Sequence, residues 1–199
     1  MPKRRYLSGT EIELLIRSAA GERDRCLIYM AFIHGYRISE LLSLTFSDID
    51  FNSGYIHIRR SKRGFSTTHP LLREERELLL GWLAVRLAYK NAGESQYVFI
   101  SRRGTPLSRQ QAYNIVKSAG RLASLSVAAH PHMLRHACGY ALADRGISTR
   151  LIQDYLGHRN IRHTVHYTAS NAQRFMNIWG PGPGEANCSC ETPCPVCAR

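Results

Sequence analysis

No stretch of the chain approaches the roughly 18 consecutive apolar residues that a helix needs to cross a bilayer, so a membrane-spanning protein is not expected. Nothing apolar follows the charged opening "MPKRRYLSGTE", so it does not read as a secretory signal, and a cytoplasmic protein is expected. Cysteine is almost missing from the body of the chain. Only Cys26 and Cys138 precede residue 188, both in apolar helical segments, which excludes a disulfide scaffold and predicts buried thiols. Acidic charge is also scarce: 15 Asp plus Glu stand against 27 Lys plus Arg, a net charge of +12. That imbalance points to a polyanionic partner, nucleic acid first and an anionic membrane surface second. There is no lysine-rich tail to carry the charge, so a folded basic surface is expected rather than a disordered arm. No internal repeat is visible, and 199 residues suffice for one domain with a real core but not for two large ones.

What is present is mostly helical. Ser8-x-x-Glu11 resembles a capping box ahead of "EIELLIRSAA". "RDRCLIYMAFIHG" reads as a more buried helix ending at Gly35, and "ISELLSLTF" as a short third one. The period then changes from 3.6 to 2. "GYIHIRR" alternates like a strand, "FSTTHPL" reads as its return, and "SKRG" is the turn. "LREERELLLGWLAVRLAYK" is helical again, "YVFI" reads as a short strand, and Ser108-x-x-Gln111 caps "RQQAYNIVKSAG". "HPHMLRHACGYALADRG" and "TRLIQDYLGH" are two further helices, followed by a polar stretch that leads to "NAQRFMNIW". In that last segment Phe175, Ile178 and Trp179 share one helical face. From Gly180 the chain is rich in Gly, Pro and Cys and reads as a disordered tail. Its Cys188, Cys190, Cys194 and Cys197 could offer four thiolates to zinc, or form an uninformative extension.

One helix opens strangely. Pro131 suits a first turn, yet His132, Arg135 and His136 crowd the same start. His132 and His136 are four apart and share a face, as zinc ligands on a helix do. A catalytic zinc site needs a third ligand, usually with a carboxylate nearby, and Arg135 between the histidines would repel a metal. An oxyanion fits better, and the planar fork of arginine fits phosphate in particular. Arg37 in "HGYRISELL" has a similar setting, just past a glycine at the entrance to a short helix. His158 follows the glycine that ends another helix, and nine residues on comes Tyr167, flanked by polar His166 and Thr168. Tyr29, Tyr113 and Tyr140 sit in amphipathic helices and are expected to pack; Tyr167 fits no such stripe.

"GYRISELL", "HPHMLRHACG", "DYLGHRN" and "HTVHYT" together resemble the catalytic boxes of tyrosine site-specific recombinases, the integrase family. The resemblance covers about residues 5 to 179. "RRYLSGTEIE", "GFSTTHPLL", "FISRRGTPLSRQQAY" and "STRLIQDYLGHRNIRHTV" are similar to the small fimbrial-switch invertases of enteric bacteria. The resemblance implies a mainly α catalytic domain with a small antiparallel β-sheet, the DNA breaking-rejoining fold. Residues 1–179 would form it, with a basic arm at 1–6 and the tail at 180–199. It implies that Arg37, His132, Arg135 and His158 surround a scissile phosphate, that Tyr167 is the nucleophile, and that Glu40 orients Arg37. The family's hairpin lysine corresponds best to Lys62, with Arg60 and Arg63 beside it and a solvated turn lysine as the other reading. Most of the family carries a separate DNA-clamping domain ahead of this one; here only "PKRRY" precedes it, as in the small invertases.

The chemistry implied is coherent. A phenol with pKa ~10 must lose its proton as it attacks a phosphate. The arginines and imidazoles meet the charge that develops, and a lysine protonates the leaving 5′-hydroxyl. A covalent 3′-phosphotyrosine conserves the bond for rejoining. No metal and no cofactor are expected. The expected partners are double-stranded DNA with inverted-repeat sites, further copies of the chain in a tetramer, and DNA-bending accessory proteins, in the cytoplasm at the nucleoid. The expected outcome is inversion of a promoter element in fimbrial phase variation. A type IB topoisomerase-like nicking-closing enzyme and a non-catalytic DNA-binding regulator are the alternatives.

Overall fold

A computed structural model describes residues 6–61 and 64–169. Eight helices and one three-stranded sheet make up this part. Helix α1 (Gly9–Arg17) starts where Ser8 Oγ accepts the Glu11 N–H and the Glu11 carboxylate accepts the Ser8 N–H, a complete capping box. It buries Ile12 and Leu15. Helix α2 (Glu22–Ile33) is buried over most of its length, from Cys26 to Ala31, and packs against α1, α4 and α6. It is the centre of the fold, which is why its sequence shows no polar stripe. Helix α3 (Ile38–Leu42) is short and leads to an antiparallel meander of β1 (Ile49–Asp50), β2 (Tyr55–Ile58) and β3 (Thr67–Pro70). Helix α4 (Arg73–Arg86) buries Leu79 and Trp82, and the Trp82 indole donates to the Val98 carbonyl at 3.1 Å. Helix α5 (Arg109–Leu122) begins with the second capping box, Ser108 with Gln111.

Helix α6 (Pro131–Asp144), α7 (Thr149–Leu156) and α8 (Arg162–Ala169) pack on one another at one end. They enclose a small second core of Cys138, Ala143, Ile152, Leu156 and Tyr167, beside the main one. Both Cys26 and Cys138 are buried thiols, as expected. Among the described residues no helix is long and apolar enough to cross a membrane.

Four expectations need correction. The polar stretch after His158 is a helix, α8, because Thr164, Tyr167 and Thr168 form its buried face in place of aliphatic residues. "YVFI" is no strand of the sheet. Its residues make only isolated bridges, Thr45 with Tyr97 and Ile100 with Pro106, while Val98, Phe99 and Ile100 lie in the core. The first hairpin strand stops at Ile58, since Arg60 turns inward to carbonyl partners, and β1 adds a third strand that alternation over two residues cannot reveal. Tyr113 does not pack inside; it is 40% exposed. Lys62, most of the basic arm, the 171–179 segment and the cysteine tail lie outside the described residues.

Candidate active site

The ends of α2 and α7 meet closely. Gly35 ends α2 with φ of +57°, and a Cβ there would collide with the Leu156 side chain, so only glycine permits the contact. One residue past the turn at Tyr36 comes Arg37, at the N-terminus of α3. Glu40, at the third position of that helix, reaches back to the Arg37 N–H (3.0 Å) and holds the Arg37 guanidinium at Nη1 (2.8 Å). The same carboxylate accepts from Arg60 Nη1 (3.1 Å), from the Ser61 N–H (2.9 Å) and from Ser61 Oγ (3.0 Å). Burial pushes the Glu40 carboxyl up, but these donors outweigh it and hold it below the ordinary carboxylate range. It is therefore a fixed anion between two cations.

Arg135 lies on the first turns of α6, almost fully buried. It donates to the carbonyls of Gly35 and of Leu156, the latter at 2.8 Å. Burial, then the charges of Arg60 and Arg37, pull its pKa down to about 10, which leaves it charged at neutral pH. One turn earlier His132 stands exposed at the mouth. His136 stands between this mouth and the interior, its ring edge-on to that of His132 with centroids 4.6 Å apart. Burial, then the charges of His132, His166 and Arg135, hold His136 at about 4, so it is neutral.

His158 follows Gly157, which ends α7 with φ of +65°. A Cβ at Gly157 would meet the Phe65 carbonyl at 2.6 Å and Arg60 Cγ at 2.8 Å. His158 Nδ1 lies 2.9 Å from Thr164 Oγ1 of α8. Burial and the charges of Arg135 and Arg37 lower this imidazole to about 3, so it too is neutral. In the tautomer where the Thr164 hydroxyl donates to Nδ1, the other ring nitrogen carries the proton and can donate outward.

Tyr167 is 1% exposed. Its ring lies flat against the backbone of Gly139, where a Cβ would come within 2.6 Å of ring carbons, and edge-on to Tyr140 with centroids 5.1 Å apart. Its hydroxyl is 3.0 Å from His136 Nδ1. Burial raises the phenol above its ordinary pKa, and the Arg135 charge pulls the other way.

Arg37, His132, Arg135, His136, His158 and Tyr167 all line one cleft of about 330 Å³, with Gly64, Gly157, Arg159, Asn160, His163 and His166. Among the described residues no carboxylate lines it. Among the described residues no group of three or more His, Cys, Asp or Glu is arranged to hold a metal ion. The cleft is thus a cage of guanidiniums and imidazoles around one phenol, suited to a phosphate diester.

The model of the phage integrase family matches residues 5–174. The chain belongs to the phage integrase family. Within it, the chain is 58% identical over 183 residues to the type 1 fimbriae regulatory protein FimE of Escherichia coli K12, covering 90% of this chain and 92% of that one. Its fold is that of the tyrosine recombinase catalytic domain. The crystal structure of XerA recombinase superposes with a TM-score of 0.75 at 27% identity, over 85% of this chain and 62% of that chain. The XerH site-specific recombinase bound to a palindromic difH substrate, in a post-cleavage complex, gives a TM-score of 0.73 at 26% identity over 87% of this chain and 53% of that one.

Five of the residues singled out from the sequence of this integrase-family chain meet in the cleft, and Glu40 stands directly behind it. Sequence reasoning set His136 aside once a metal was rejected, although its spacing from His132 puts it on the same face. It also places Arg60 at the end of the alternating strand, as a neighbour of Lys62 with no role of its own. The signal for Arg60 was slight: it follows an alternating strand at a position whose partner β2 residues, Ile56 and Ile58, point inward.

Proposed function

We propose that the chain is a site-specific DNA recombinase that inverts a promoter element controlling fimbriae, through a 3′-phosphotyrosine intermediate. The observation that carries this reading is the convergence of the Arg37 and Arg135 guanidiniums, the His158 imidazole and the Tyr167 phenol on one cleft with no carboxylate among its described lining residues. In the reaction, Tyr167 Oη bonds to phosphorus while the bond from phosphorus to the 5′-oxygen breaks. The phenolic proton passes to His136 Nδ1, whose basicity rises when the phosphate charge sits beside it. Arg37 and Arg135 meet the non-bridging oxygens, with His132 and His158 as further donors. Glu40 keeps Arg37 aimed. Lys62, which directly follows Ser61, supplies the proton to the 5′-oxygen; this role rests on the family resemblance alone.

The partner chemistry follows the relatives. FimE is a fimbriae regulatory protein and XerH is bound to a palindromic site, which supports a duplex with inverted-repeat sites as substrate and an oligomer on paired sites. Residues 1–179 would form the working unit and 180–199 a dispensable tail, with DNA-bending proteins assisting at the nucleoid. The test is a plasmid carrying an invertible fimbrial promoter element, read by restriction pattern, together with a nicked suicide duplex from its inverted repeat. The full chain should invert the plasmid and form a covalent adduct, both undiminished in excess EDTA. Tyr167→Phe should bind the duplex and form no adduct. Relaxation of the plasmid without inversion would point to a nicking-closing enzyme, and an adduct in Tyr167→Phe would remove the nucleophile.

A further inference from the structure

Arg60 has no part in the chemistry above, yet it is bonded like a keystone of the site. It lies two residues past the end of β2, and its side chain is wholly buried. Nη2 donates to the carbonyls of His34 (2.9 Å) and Tyr155 (2.8 Å). Nη1 donates to the Gly35 carbonyl (3.2 Å) and to Glu40 Oε2 (3.1 Å). Nε has no partner. The backbone N–H of Arg60 is held in turn by Ser66 Oγ at 3.1 Å. Taking a guanidinium out of water is unfavourable, and a buried ion pair often stabilises a fold less than an apolar side chain of similar size would. Packing alone therefore does not account for an arginine here.

The four acceptors indicate its role. His34 and Gly35 form the turn that delivers Arg37. Tyr155 belongs to the last turn of α7, just ahead of Gly157 and His158. Glu40 holds the Arg37 guanidinium. Arg135 grips the same two segments one step along, through Gly35 and Leu156. Two guanidiniums thus bridge the end of α2 to the end of α7, and Arg60 ties both ends to the sheet. The last carbonyls of α7 are the unpaired acceptors of a helix C-terminus, where positive charge is favoured.

We infer that Arg60 is a positioning residue of the phosphate site. Without touching DNA, its fork holds the Arg37 turn and the α7–His158 corner at the separation where Arg37, Arg135 and His158 meet one phosphate. This rests on the reading of the cleft as the seat of the scissile phosphate. Arginine is needed because one planar fork reaches four oxygens in separate directions; the point charge of a lysine does not.

The experiment compares full-length Arg60→Met and Arg60→Lys with the unaltered chain. The probe is the nicked suicide duplex above, with either a phosphate or a methylphosphonate at the scissile position. The methyl group replaces one non-bridging oxygen and removes the charge that the two arginines must be aligned to meet. Both variants should melt cooperatively and bind the duplex with unchanged affinity. Both should form the adduct about 100-fold more slowly on phosphate, the scale expected for a misplacement on the order of 1 Å. On methylphosphonate the deficit relative to the unaltered chain should shrink to less than about tenfold, since alignment to charge no longer matters. A full rate in Arg60→Lys would mean that charge alone suffices, and an equal deficit on both substrates would mean a plain structural strut; either overturns the proposal. Should Arg60→Met not fold, Arg60→Gln carries the same comparison. Tyr167→Phe is the control for the cleft itself. An adduct in that variant overturns the reading of the site, while the Arg60 comparison, made relative to the unaltered chain, still gives its own answer.

Discussion

The buried Tyr167 hydroxyl and the half-buried His136 Nδ1 form a pair whose two halves are not equivalent in energy. Removing His136 leaves a phenol hydroxyl in the interior without its partner, and an unsatisfied buried polar group costs about 1–3 kcal/mol. Removing the hydroxyl as well relieves that cost. His136→Ala is therefore expected to lower stability more than the His136→Ala, Tyr167→Phe double variant does relative to Tyr167→Phe alone. The coupling in a urea-denaturation cycle should be about 0.5–1.5 kcal/mol, and additive losses would show that the two groups do not bond in solution. In cleavage assays His136→Ala should be slower by about 100-fold with duplex binding retained, the usual worth of a positioned proton acceptor.

At the scale of the element, α6 and α8 are fitted to each other at Gly139. A glycine inside a helix normally costs about 1 kcal/mol relative to alanine, so Gly139→Ala would ordinarily stabilise. Here the new methyl would overlap the Tyr167 ring. Gly139→Ala should instead lower the melting temperature, with overpacking worth about 1–3 kcal/mol, and slow adduct formation by more than about tenfold. A raised melting temperature would mean that the ring does not rest there. This junction also marks the limit of what the sequence discloses. The capping boxes at Ser8 and Ser108, Pro131 at the start of α6 and the turn at Gly35 are local chemistry, and each is legible from neighbouring residues. The cage residues Arg37, Arg135 and His158 are legible because polar groups at helix junctions have no packing reason to be there. Helix α8 is not legible, because its buried face is built from Thr164, Tyr167 and Thr168, and threonine hides a stripe that leucine would advertise. Arg60 is not legible either, since its four acceptors are three carbonyls and a carboxylate brought to it from two distant stretches of the chain, residues 34–40 and Tyr155.

Over the whole molecule, buried neutral histidines set the response to acid. His69 stacks on Tyr155 and bonds to His34, and burial with the His34 and Arg60 charges lowers it to about 3. His158 is lowered to about 3 as well. An unfolded histidine titrates near 6.5, so below that pH the unfolded chain binds protons that the folded chain refuses. The contribution of both residues is complete above about pH 6.5 and is lost as pH falls from there toward 3. Stability should fall by up to about 1.4 kcal/mol per pH unit for each of the two across that window, read from urea midpoints between pH 7 and 5. His69→Gln should flatten the slope, and an unchanged slope would exclude His69 as a contributor. The same interior has a bearing on direction. In the reaction proposed here, the Tyr167 oxygen becomes an ester and the proton it gave up sits on His136 Nδ1, so the bond between them reverses its direction, and a ring that fills the smaller core is tethered to a strand of DNA. Cutting thus leaves a protonated imidazole in surroundings whose burial and positive charges disfavour it, and rejoining takes that proton back. The fold itself leans toward the closed duplex, so an open strand is the state the enzyme has a reason to leave.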